Sequence, residues 1–162
     1  MDCQPSATQR VPRGSTLAVR PATTDDIPYV VIAFERALGP YYGGDHTAHA
    51  RRVIQTHLAG GTDPRGLLST RQLLFVLWEA GHRRGLLNLV FKRQATCKIS
   101  PLILFPENHR HRGLGTALLE TAEQEAGNVG ARELYCTVAQ SNRATLQFFL
   151  DLPWFRLMRR GA

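Results

Sequence analysis

Glu107 to Glu120, ENHRHRGLGTALLE, is the stretch whose residue types and spacing point most directly to chemistry. Gly113 and Gly115 sit one residue apart, behind Arg110, His111 and Arg112 and ahead of an amphipathic helix. Glycines remove the Cβ atoms that keep a ligand away from the backbone. The first amides of a helix lack intrahelical acceptors and stand at the positive end of its macrodipole. A basic, glycine-softened helix start is therefore suited to an anion, most often a phosphate. The competing reading is a tight strand-to-helix turn, with glycines for packing and arginines for solvation, and the glycine pattern alone leaves both open. A dinucleotide fingerprint is a poor match, because Leu118 is neither small nor spaced as the third glycine, and the GK[ST] of a Walker loop is missing.

The elements that must position this turn follow from hydrophobic period and punctuation. Thr16–Arg20 reads as a strand ended by Pro21, and Thr24 as the cap of a helix with Ile27, Val31, Phe34 and Leu38 on one face. Tyr41–His46 is a loop, His49–Leu58 a second helix and Gly60–Gly66 another loop. Gln72–Glu79 and Leu86–Phe91 form a hairpin about Gly81, and Lys98–Phe105 is a fourth strand in which Pro101 implies a bulge or an unpaired amide. The glycine turn opens a helix with Leu114, Leu118 and Ala122 on one face, stopping at Gly127. Glu133–Ala139 is a fifth strand, Ser141 or Asn142 caps a helix through Leu152, and Phe155–Arg159 reads as a short closing strand. The order β-α-α-β-β-β-α-β-α-β predicts an α/β (α+β) single domain with a mixed sheet at 16–162, preceded by a loose polar tail at 1–15.

Bulk properties bound the rest. The 162 residues suffice for one domain with a proper core. No apolar run approaches a membrane span, and the start lacks a signal peptide's basic and apolar blocks. Cys3, Cys97 and Cys136 have no metal-ligand spacing, so no metal is expected and reduced thiols in a cytoplasmic protein are the expected state. Lys plus Arg exceed Asp plus Glu by 20 to 13, a net charge of +7 that admits an anionic ligand, an acidic partner or nucleic acid.

Arg110-His111-Arg112-Gly113-Leu114-Gly115 matches the R-x-x-G-x-G acyl-CoA signature of the GNAT N-acetyltransferase superfamily, and the chain from about 16 to 160 resembles that family in plan. AVRPATTDDIP resembles its first strand and helix start, EAGHRRGLL its hairpin between the second and third strands, and Asn142-Arg143-Ala144 opens the helix after the fifth strand in the manner of the family's asparagine motif.

The resemblance implies splayed fourth and fifth strands with the pantetheine arm of acetyl-CoA between them. Ile103, Leu104 and Phe105 would hold pantetheine. The amides of Arg112, Gly113, Leu114, Gly115 and Thr116, with Arg110 and His111, would hold the pyrophosphate, and Asn142 and Phe149 would contact the pantetheine side. An amine would attack the acetyl thioester directly. Where the family often has a tyrosine as general acid, this chain has Phe149, so the acid is open; Tyr135, Ser141 and Cys136 are nearest in sequence. Glu79 and Glu107 are weak candidates for the base. The family's acceptor site lies about the first two helices, here joined by GPYYGGDHTAH, which offers Tyr41, Tyr42, Asp45 and His46. The expected function is acetyl-CoA-dependent N-acetylation of a primary amine on a small molecule or peptide, without a metal or a membrane. A homodimer stays open. The alternatives are a non-catalytic acyl-CoA-binding module and a basic nucleic-acid-binding domain.

Overall fold

The computed structural model describes residues 16–62, 69–106 and 112–158. Five strands form one sheet in sequence order: β1 (Leu17–Pro21), β2 (Ser69–Glu79), β3 (His82–Lys92), β4 (Thr96–Leu104) and β5 (Glu133–Cys136). The first four pair antiparallel, and β4 and β5 pair parallel. A parallel pair needs a crossover, and α3 (Arg112–Asn128) supplies it. The sheet is thus mixed, and the expected architecture is the one observed. The expected tail and Arg159 lie outside the described residues.

Side chains alternate across the strands and so feed two cores. Leu74, Val76, Leu86 and Ile103 meet Val30, Ala33 and Phe34 of α1 (Ile27–Leu38) and Ala50, Val53 and Ile54 of α2 (His46–Leu58). Phe75, Leu77, Leu87 and Leu89 meet Leu114, Leu118, Leu119 and Ala122 of α3 and Phe149 of α4 (Arg143–Leu150). The face expected for α3 is the one buried. That of α1 is turned by about one residue, centring on Val30, Ala33 and Phe34.

Local chemistry accounts for the boundaries. Thr23, not Thr24, begins the first helical turn, and its N–H donates to Asp26 Oδ2 at 2.7 Å. Asp45 caps α2 by accepting from Ala48 N at 2.9 Å, so that helix starts at His46 rather than His49. The β2–β3 hairpin turns through Ala80 (φ 48) and Gly81 (φ 80), the two positive angles of a tight hairpin turn.

Two expectations fail at the C-terminal end. β5 stops at Cys136 instead of Ala139, where its ladder with β4 ends at the pair Ile99–Cys136. Residues 155–158 form no strand. Phe155 turns back instead: its N–H donates to Leu152 O at 3.2 Å and its ring stacks 4.9 Å from Phe149, joining the α3-side core.

Candidate active site

The site begins with one irregularity in β4. Leu87 pairs with Leu102 and Leu89 with Ile99, so Ser100 and Pro101 together face Asn88. This is the bulge expected at Pro101: proline lacks the N–H a regular ladder needs. Asn88, only 1% exposed, secures it by donating from Nδ2 to Ser100 O at 2.7 Å, and its Oδ1 is buried without a protein partner.

Immediately before the bulge the β4–β5 ladder ends, with Ile99 opposite Cys136. Among the described residues, β4 from Ser100 to Leu104 has a partner only on the β3 side. Phe105 N donates to Arg84 O at 3.0 Å, so alternation turns the backbone groups of Leu102 and Leu104 toward the open side. Of the expected holders Ile103, Leu104 and Phe105, Leu104 turns its backbone groups to the open side and the other two turn theirs to β3. Ile103 is 3% exposed in the α1/α2 core. The N–H of Phe105 is used by β3, and its carbonyl accepts from Tyr29 Oη at 2.5 Å. Burial, the largest cause, drives the Tyr29 hydroxyl pKa well up, so it stays a donor.

In sequence, β4 is followed by α3. Arg110, His111 and Glu107 lie outside the described residues, and Arg112 is the first helical residue. Gly113 lines a groove of about 230 Å³ beside Leu17, Ala18 and Val19 of β1. Leu114 is a core residue at 3% exposure and Thr116 is half-buried. Gly115 has a packing reason of its own: a Cβ there would lie 2.9 Å from the Phe148 ring. Gly85 on β3 plays a similar part, since its Cβ would fall 2.8 Å from Ile103 O and 3.1 Å from Leu118.

The open edge borders a second cleft of about 480 Å³. Leu38, Tyr42, Asp45 and His46 form one wall, His49 and Arg52 of α2 extend it, and Lys98 to Pro101 with Thr137 form the opposite wall. Of the four expected acceptor residues, Tyr42, Asp45 and His46 come together here, and Tyr41 does not line the cleft. Each of the three also has a local task. Asp45 caps α2, and His46 Nε2 lies 2.8 Å from Tyr42 O. Tyr42 Oη accepts from Ala139 N at 2.9 Å, which ties the α1–α2 loop to the segment leaving β5.

Sequence reasoning missed His49. It packs edge-on to Phe34 at 5.2 Å and lines the cleft. Burial, then the charges of Arg52 and His46, push its pKa below the usual histidine value, so it is neutral at neutral pH and able to accept a proton. Its pairing with Phe34 across fifteen residues of sequence left no local signal.

The expected catalytic groups are dispersed. Glu79 ends β2, largely buried beside Arg84 Nε at 3.5 Å, and lines neither cleft. Tyr135 pairs with Lys98 inside the β4–β5 ladder. Ser141 is exposed in the turn before α4. Burial drives the Cys136 thiol up to about 11, with Lys98 opposing, so it is un-ionised. Asn142 caps α4, accepting from Thr145 N at 3.4 Å. Phe149 is 5% exposed in the core. Among the described residues no group of three His, Cys, Asp or Glu could hold a metal, and no helix is long and apolar enough to cross a membrane.

A sequence model of the acetyltransferase (GNAT) family matches residues 33–152. The fold is similar to that of an aminoglycoside N-acetyltransferase in complex with CoA, at 15% identity, 94% coverage of this chain and 96% of that one, and a TM-score of 0.67. It is also similar to a ribosomal-protein alanine N-acetyltransferase from Escherichia coli, at 20% identity, 85% and 77% coverage and a TM-score of 0.60. A PaiA N-acetyltransferase from Thermoplasma acidophilum with bound coenzyme A gives 14% identity, 84% and 87% coverage and 0.61. Comparison with curated protein sequences finds no match.

Proposed function

The chain belongs to the GNAT acetyltransferase family, and from that premise we propose that it moves an acetyl group from acetyl-CoA to a primary amine. One observation carries this reading: the β4–β5 ladder stops at Ile99 and Cys136, leaving among the described residues an open β4 edge that borders the second cleft. An open strand edge offers unpaired backbone donors and acceptors, the groups an amide-bearing arm such as pantetheine requires. Acetyl-CoA, when bound, supplies an acetyl thioester whose C–S bond breaks as the amine forms its N–C bond.

The remaining work falls to the chain's own residues. The first amides of α3 hold the diphosphate. Leu102 and Leu104 hold the arm through their backbones. His49, neutral and at the cleft wall, accepts the proton that the incoming ammonium must lose. Tyr42 and Thr137 bring hydroxyls to the same cleft. Because Tyr42 Oη accepts from Ala139 N, its own proton is directed to another acceptor, and it takes the donor role that Phe149, a buried hydrocarbon, cannot fill.

A second reading, an acyl-CoA-binding module without chemistry, is favoured by that same burial of Phe149. Two measurements separate them. Thermal-shift titrations with acetyl-CoA, CoA, NADH and ATP should show stabilisation by the two CoA species alone, about 2.7 kcal/mol at a hundredfold excess over Kd. Release of CoA thiol dependent on an added amine should follow. Tight acetyl-CoA binding with no release across a broad amine panel would leave only the binding module.

A further inference from the structure

Among the described residues, the acceptor cleft is lined by the cations Arg52 of α2 and Lys98 of β4 and by one carboxylate, Asp45. Asp45 is already engaged: Oδ1 accepts from Ala48 N, which sets its charge against the positive end of α2. His46 and His49, which also line it, bring no negative charge. Glu35 of α1 is not among the lining residues, and it accepts from Thr47 Oγ1. Neither of the ion pairs Arg83–Asp26 and Arg84–Glu79 involves Arg52.

Both cations act on the interior. The Arg52 charge is felt at His49 on the α2 wall, and the Lys98 charge at Cys136 where the strands part. A half-enclosed cleft focuses such fields more strongly than open water does. A second positive charge on an incoming amine meets repulsion there, whereas an anionic group meets attraction and is drawn to one wall, which orients the amine.

Resting on the acetyltransferase reading above, we infer that the acceptor is an amine that also bears an anionic group, a carboxylate or a phosphate, held by Arg52. The polycationic acceptors named for the aminoglycoside enzymes of similar fold are the opposite of what this cleft suits. Arg52 is thereby a specificity-determining residue, and Lys98 reinforces the field from the facing strand.

Matched acceptors test this. Alanine against alaninamide isolates the carboxylate, O-phosphoethanolamine against ethanolamine isolates the phosphate, and neamine supplies a polycation. The expected result is kcat/KM at least tenfold higher for the anionic member of one pair than for its partner, and higher than for neamine. Arg52→Glu should erase or reverse that preference, Arg52→Lys should keep most of it, and acetyl-CoA affinity should hold in both. Raising the salt concentration should shrink the preference in the wild type. Equal rates within both pairs, a preference for neamine, or a preference that survives Arg52→Glu would overturn the inference. If no amine turns over, the acetyltransferase reading fails first, and calorimetric titration of the CoA-saturated protein with the same pairs still decides the inference. Binding of the anionic member alone, lost in Arg52→Glu, sustains it; binding of neither member overturns it.

Discussion

The two sides of the sheet are built to opposite ends. On the β1 side the groups are joined to one another. β1 pairs with β2 along its whole length, and the ladder is extended by Ala22 N donating to Leu74 O. His57 then fits its imidazole between the two chains: Nδ1 accepts from Leu74 N at 3.0 Å and Nε2 donates to Ala22 O at 2.9 Å. Beside it Asp26, 3% exposed, takes Thr23 N and Arg83 Nε, each at 2.7 Å, while Arg83 stacks over Trp78. On the β5 side four residue pairs suffice before the strands part. The difference teaches where to look for function: charged and polar residues on the closed side hold the fold, and the backbone left open on the other side is available for a ligand.

Breaking the closed side should have the largest effect. Asp26→Ala removes the partner of the half-buried Arg83 guanidinium and of the Thr23 amide, and since water can reach Arg83 the loss falls at or below the low end of the buried-pair range, about 3 kcal/mol. At this chain length that lowers the midpoint of thermal unfolding by about 10 °C, read by calorimetry or circular dichroism. A midpoint close to that of the wild type would mean the closed side is not what holds the sheet.

Gly113 and Gly115 sharpen the contrast within one turn of helix. Gly115→Ala pushes a methyl against Phe148 and should cost about 1–2 kcal/mol, largely recovered by adding Phe148→Leu. Gly113→Val should instead leave stability almost unchanged and weaken acetyl-CoA binding at least tenfold, because its side chain occupies the helix start where the diphosphate belongs. Unaltered affinity in folded Gly113→Val would return both glycines to packing.

The smallest effect expected is with pH. Burial, the dominant cause, holds the folded pKa of His57 below its unfolded value. Its stabilisation is therefore complete above the ordinary histidine value and fades as pH falls through it toward the lower folded value. Thermal midpoints should drop between pH 7.5 and 5.5, and His57→Gln should flatten that slope in part, the remainder belonging to His49, which shifts the same way. A slope unchanged in His57→Gln would remove the imidazole from the closed side's accounting.

How far the sequence revealed this depends on how local each cause is. Pro101 announced the bulge, because a missing N–H is a property of one residue. Gly81 and the α3 face were readable for similar reasons, whereas Asp45, read as an acceptor residue in a loop, is the cap of α2. Gly115 was not assignable to ligand or packing, since its neighbour Phe148 lies on another helix. The Tyr42–Ala139 bond spans 97 residues, and nothing near Tyr42 betrays it. FRLM looked like a strand because its alternation is strand-like, yet Phe155 gains more by burial against Phe149 than by pairing with an edge. The family resemblance supplied the idea of a fork; the ladder's end at Ile99 gave it a position.

The central claim is that the open β4 edge and the start of α3 receive acyl-CoA. Amide hydrogen exchange with and without saturating acetyl-CoA tests it most directly. The account predicts slowed exchange at Leu102, Leu104 and residues 113–116, with β1 and β2 unchanged. Saturation without protection at those amides, or with protection confined to the β1–β2 side, would contradict it.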